Sequence, residues 1–320
     1  MRLRKNRFTL SRKSLALSTN KPFIFVLKLA VSSLALYVVF SKVDTVHTFS
    51  IMKGIGPLHF FSAVFLYIFS QLISSFRWKL LLSENFTIRR LFSIYMIGAF
   101  FGSFMPGIIG GDAVRAYYLN KKAKKMSLTL ASIFMDRYIG YVSLMIIGIS
   151  AAPFTLRFFG DSPYKWSMPV IFVAFLTGSF LFFNLQLGKK FRGVSEFYEY
   201  FIALKTRRDA VIKAALISFL VQFLNFFMVI ILAAGMGQEI SLLLLFVLLP
   251  IIITITTIPV SISGIGVREG AFVVLLGLIG VKPEIATSLS LAWFFSLFVG
   301  SLPGLVIYFI LTKKPYTSEA

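Results

Sequence analysis

Apolar residues along this chain gather into runs of about 18 to 26, long enough as helices to cross a hydrocarbon core of roughly 30 Å. Six runs read as full spans, at residues 23–40, 58–76, 128–152, 167–187, 211–236 and 286–311. Two regions differ. Residues 91–119 hold two short apolar pieces around MPGIIGGD, and residues 241–281 hold two more around IPVSISGIGVREG. Proline lacks an amide donor and glycine loses backbone entropy, so helices break there. The breaks fall at Pro106, Gly110 and Gly111 in the first region and at Pro259, Gly264 and Gly266 in the second. Broken backbone at membrane depth persists only where protein or a wet cavity satisfies it. The pattern predicts an all-α, polytopic membrane helix bundle with about six spans and two re-entrant hairpins. Whether the second hairpin dips in or spans fully stays open.

The chain reads as a basic N-terminus (1–22), one transmembrane domain (23–311) and a short tail (312–320). The first apolar run lacks a small-residue cleavage site, since Lys42 follows Phe40-Ser41, and is expected to be a retained helix rather than a signal peptide. Residues 191–205 place Phe191, Val194, Phe197, Tyr198, Phe201 and Leu204 on one helical face. This amphipathic helix either lies on the membrane surface or packs against the end of the bundle.

Composition fits that picture: 58% of the 320 residues are hydrophobic, with a mean hydropathy of +0.86. The formal charge of +21 would suggest nucleic acid in a soluble protein. Here basic loops set topology and touch anionic lipid, and no nucleic acid is expected. Alternate loops carry 25 and 5 lysines and arginines, which places both termini in the cytoplasm of a multi-pass protein of the cell membrane. Arg77-Trp78-Lys79, at the end of the second span, reads as an interface anchor. There is no cysteine and only two histidines, so thiol chemistry is excluded and neither a metal site nor a cofactor is expected. No P-loop, nucleotide-binding glycine fingerprint or HExxH occurs.

Charges in hydrocarbon cost at least ~2.5–3.5 kcal/mol each at a helix centre, so they are read as functional or strictly paired. The candidates are Asp112 and Arg115 in the first break, Arg268 and Glu269 in the second, and Asp136 and Arg137 deep in the span 128–152. Asp112 and Arg115 share a helix face. Asp136 and Arg137 point about 100° apart, so each must find a partner elsewhere, and they are expected to face the two breaks. Arginine forks suit phosphate, and the amides that open the half-helices favour an anion. These six residues are therefore candidate substrate contacts. The alternative is that they form buried salt bridges that hold the hairpins in place. Both breaks carry an arginine nine residues after the proline, a shared offset that suggests an inverted repeat around a mid-membrane site.

The strings PGIIGGDAVRAYYL, MDRYIG and IPVSISGIGVREGAF, in that order, resemble the membrane region of lysylphosphatidylglycerol synthases and the wider set of flippase-like membrane proteins. The resemblance covers about residues 20–310 and implies a fold with re-entrant helices that moves lipid-linked headgroups between leaflets. It marks Asp112, Arg115, Arg137, Arg268 and Glu269 as the matching polar positions. The soluble aminoacyltransferase domain of the full synthases is missing from this chain, so a stand-alone transporter is expected rather than an enzyme. Asp136 and Glu269 are the candidates for proton coupling. The expected partners are membrane lipids with anionic headgroups and a separate lipid-modifying transferase. Two rivals remain, a membrane-embedded transferase acting on a lipid phosphate and a membrane subunit for a separate aminoacyl- or glycosyltransferase. No residue argues for a particular oligomeric state.

Overall fold

The apolar runs are helices in a computed structural model, which describes residues 21–41, 43–104, 109–123, 125–186, 192–258, 260–261 and 264–313. Among the described residues there are twelve α-helices and no strand. They are α1 (Lys21–Phe40), α2 (Thr45–Gly54), α3 (Pro57–Leu81), α4 (Ile88–Phe104), α5 (Ile109–Ala123) and α6 (Met126–Phe159). Then come α7 (Ser167–Leu185), α8 (Arg192–Thr206), α9 (Arg208–Gly235), α10 (Leu242–Thr257), α11 (Val267–Gly277) and α12 (Pro283–Lys313). Five stretches are long and apolar enough to cross a membrane: α3, α6, α9, α12, and α7 with the turn before it; α1 taken with α2 makes a sixth. The chain is a multi-pass membrane protein.

Both broken regions form pairs of short helices. Helices α4 and α5 have 17 and 15 residues, about 25 and 22 Å at 1.5 Å per residue, short of the ~30 Å core. They lie side by side, with Gly98 and Gly102 of α4 against Gly111 of α5. In the second pair, α10 has 16 residues and α11 has 11. Pro106 and Pro259 lie outside the described residues, as do the basic segment before Lys21 and the tail after Lys313.

In lipid no hydrophobic drive brings helices together, so close packing at small residues does that work. Helix α12 shows it. A Cβ on Gly304 would sit 2.0 Å from the Met96 carbonyl oxygen of α4, and one on Gly300 would sit 2.5 Å from the Tyr67 ring of α3. The core runs through α3, α6, α9, α10 and α11 to α12, with Met145, Val229, Leu248, Phe272 and Leu289 fully enclosed.

The loops segregate to two ends. At one, Arg207 donates to the Leu80 and Leu82 carbonyls (3.1 and 3.2 Å), a cation on the last open carbonyls of α3. Ser127 donates to Glu196 there, which ties α8 to the start of α6. At the other end Ser288 donates to the Thr48 carbonyl (2.9 Å), and Gly235 meets Ile55 and His59. Among the described residues, Lys79, Lys125, Lys205, Arg207 and Arg208 lie at the first end.

Of the two placements open for the amphipathic segment, the packed one is found. Helix α8 buries Tyr198, Tyr200, Phe201 and Leu204, and its aromatics meet Phe134 of α6 and Phe182 of α7. Tyr200 donates to the Leu81 carbonyl (2.8 Å), and burial pushes its phenol pKa well above the ordinary value, so the donor stays protonated. Tyr200→Phe should cost about 1 kcal/mol, read as a lower melting temperature in detergent; an unchanged value would mean the bond contributes nothing.

Candidate functional site: a buried charge network at the first break

Asp136 is the centre of this site and is fully buried. Arg77 Nε donates to its Oδ1 (2.8 Å), and Arg115 Nη2 donates to its Oδ2 (3.0 Å). The Tyr95 hydroxyl donates to the same Oδ2. Arg77 extends further, to Ser218 Oγ (3.1 Å) on α9 and to the Tyr95 oxygen (3.3 Å). Five helices, α3, α4, α5, α6 and α9, thus each contribute a side chain to one polar knot. Leaving any of these groups unpaired at this depth would cost several kcal/mol.

Local sequence makes room for the two buried arginines. A Cβ on Gly98 would sit 2.5 Å from Arg115 Cγ, and one on Gly140 would sit 2.9 Å from Arg77 Nη1. The Arg115 guanidinium lies 4.2 Å from the Trp78 ring centroid and 3.9 Å from that of Tyr95. Aromatic faces on a desolvated guanidinium are each worth up to ~2 kcal/mol. Trp78 is held by its own bond to Ser132 Oγ (3.4 Å).

The network opens outward through Asp112, in the first turn of α5. Its Oδ1 accepts from Arg115 (3.4 Å), and its Oδ2 accepts from Arg137. The Arg137 side chain is 49% exposed, against 16% for Asp112 and 5% for Arg115. Three arginines thus face two carboxylates, and the surplus positive charge lies on the outermost member. A carboxylate at a helix start is favourably placed against the dipole, and so is any anion that displaces it.

Among the described residues, the second break forms a separate cluster. Glu269 accepts from the Gly266 amide (2.6 Å), from Arg268 Nη2 (2.8 Å) and from Ser290 (3.2 Å). Arg268 also lies 4.8 Å from the Phe294 ring centroid. Gly266 has φ +83° and Gly264 φ +76°, conformations a side chain strains to adopt. A Cβ on Gly266 would meet Ala35 Cβ at 2.6 Å, so α1 presses on this turn. Arg268 and Glu269 are both buried and neutralise each other.

Several expectations change. Asp136 and Arg137 do take different partners, but both lie on the first break, and among the described residues none of their three ion pairs reaches the second. Arg77 and Trp78 are not an interface anchor. Both are buried, because α3 turns the stripe Tyr67, Ser70, Ser74, Arg77, Trp78, Leu81 inward. That stripe of small and polar residues at helical spacing was the available signal for Arg77. Tyr95 carried no signal beyond its type. Both oxygens of Asp136 are engaged, which fits a counter-ion rather than a base free to reach a substrate. Gly110 and Gly111 fall in the first turn of α5, where Gly111 permits the contact with α4 rather than forming a loop. Among the described residues no group of histidines and carboxylates could hold a metal ion.

No curated protein and no solved structure gives a significant match to the chain. The family model described as the lysylphosphatidylglycerol synthase TM region matches residues 25–304, an interval that contains the whole charge network and both breaks. The chain therefore belongs to the lysylphosphatidylglycerol synthase transmembrane-region family, membrane proteins linked to lipid modification or flipping.

Proposed function

We propose that the protein translocates an anionic lipid, or a lipid-linked anionic headgroup, between leaflets. The half-exposed Arg137–Asp112 pair at the first break is its headgroup contact. The observation that carries this reading is the uneven network, in which three arginines face two carboxylates and the surplus charge lies outermost. An anion can exchange with Asp112 on Arg137 without opening the buried Arg77–Asp136–Arg115 core, and the first-turn amides of α5 add a favourable field. Arg268 and Glu269 hold the second hairpin, and its pairing with α1 would be the element that alternates access.

Orientation and partners belong to the same proposal. The basic end faces the cytoplasm of a cell membrane, by the asymmetry of lysine and arginine between the two ends. A separate lipid-modifying transferase would supply the substrate. A transferase reaction within this chain is less well supported, because Asp136 and Glu269 both have their oxygens engaged.

Scrambling of a fluorescent phosphatidylglycerol in liposomes tests this. Arg137→Ala should slow transbilayer movement about tenfold or more, the loss of one charged hydrogen-bond donor. Its melting temperature should change little, since an exposed ion pair is worth about 0–1 kcal/mol and Asp112 keeps Arg115 as a partner. Wild-type rates in Arg137→Ala would remove the pair from the headgroup path.

A further inference from the structure

Away from the network, one place combines a cleft, an unpaired buried hydroxyl and an uncapped helix start. Helix α6 is 34 residues long and begins after Lys125 with no side-chain cap and no acidic residue in its first turn. Its first amides lack intrahelical acceptors, and the Thr129 amide bonds back to the Lys125 carbonyl (3.1 Å). A small cleft, part of it open to solvent, lies between this helix start, the loop after α3 and Tyr200 of α8. Thr129 lines it and is 2% exposed, yet its hydroxyl has no hydrogen-bond partner among the described residues. A helical threonine ordinarily bonds the carbonyl four residues back. A buried hydroxyl without a partner beside a cleft is a place for a ligand oxygen once the cleft is occupied.

We propose that this cleft binds the phosphodiester of a membrane phospholipid at the basic end of the bundle. The α6 amides, the Thr129 hydroxyl and the Lys125 ammonium would take the phosphate oxygens. Leu82, Phe86 and Leu128 supply an apolar wall for the glycerol and the first acyl carbons. Glu84 also lines the cleft and is exposed at its mouth. A carboxylate there repels a dianion more than a singly charged diester, which favours a lipid over free phosphate. This site is distinct from the Arg137–Asp112 pair and does not rest on the transport reading.

The test is retention of phosphatidylglycerol by the purified full-length chain in detergent, measured by native mass spectrometry, with diacylglycerol as the neutral control. Thr129→Val and Lys125→Gln should each lower retention about tenfold. Thr129→Val should melt at or above the wild-type temperature, because it removes an unpaired buried hydroxyl. Glu84→Gln should let inorganic phosphate compete, where it competes poorly with wild type. Equal retention by wild type and both variants would overturn the proposal. So would retention of diacylglycerol as strong as that of phosphatidylglycerol, or displacement of the lipid from wild type by millimolar inorganic phosphate.

Discussion

Asp136→Ala should lose about 3–5 kcal/mol of stability, because it strands two buried guanidinium groups without a counter-charge. Arg77 is 6% exposed and Arg115 is 4%, so water reaches neither well. The readout is the melting temperature and the yield of monodisperse protein in detergent. Asp136→Asn should fall between alanine and wild type, since it keeps an acceptor but not the charge. The double variant Arg77→Ala/Asp136→Ala should lose less than the two single losses combined, because removing both partners leaves no orphaned Arg77–Asp136 charge. Additive losses would mean that Arg77 and Asp136 are not coupled. A wild-type melting temperature in Asp136→Ala would refute its role as counter-ion.

Glycine-to-alanine changes inside helices ordinarily stabilise by roughly 0.5–1 kcal/mol. At Gly304 and Gly111 the sign should reverse, with losses of about 1–3 kcal/mol or more. The new methyl on Gly304 would lie 2.0 Å from the Met96 carbonyl oxygen, and that on Gly111 2.4 Å from the Gly98 carbonyl oxygen. Both obstacles are backbone, so a rotamer change cannot relieve them and the helices must separate. Gly178 is the control: it lies in α7 with nothing within 4 Å of a Cβ, and Gly178→Ala should be neutral or stabilising. Thermal unfolding of the three variants decides the matter. Equal behaviour at all three positions would show that α12 and the α4–α5 hairpin are not packed as tightly as described.

The two effects mark what sequence could and could not convey. Long apolar runs are legible because a helix that crosses lipid must satisfy its own backbone along its whole length. The break at Gly264–Gly266 is legible because its positive φ angles need glycine, whereas Gly110 and Gly111 lie in the first turn of α5, where Gly111 serves the contact with α4. Asp112, Arg115, Asp136 and Arg137 stood out because a charge at membrane depth is costly, and the fold gathers all four at one place. Partner choice was not legible. Arg77 lies near a helix end, where arginine beside tryptophan ordinarily meets lipid headgroups, and only tertiary packing turns it inward. For Arg268 and Glu269 the sequence leaves substrate contact and buried ion pair both open, and the pair is what forms, because adjacent residues can satisfy each other when a helix start such as Gly266 supplies a third partner. The contact between Gly304 and Met96 joins two segments far apart in the chain, and spacing alone cannot show which helix a small residue will face.

In the proposed function a positive charge at position 137 carries the headgroup. The chain has no cysteine, so a single Arg137→Cys substitution can be modified without background. Arg137→Cys in liposomes should lose transbilayer movement of phosphatidylglycerol. Treatment with an aminoethyl thiosulfonate, which adds an ammonium on a flexible arm, should restore much of it, whereas a neutral reagent of similar size should not. Equal recovery with the neutral reagent, or movement that never fell, would show that the charge at position 137 does not carry the headgroup.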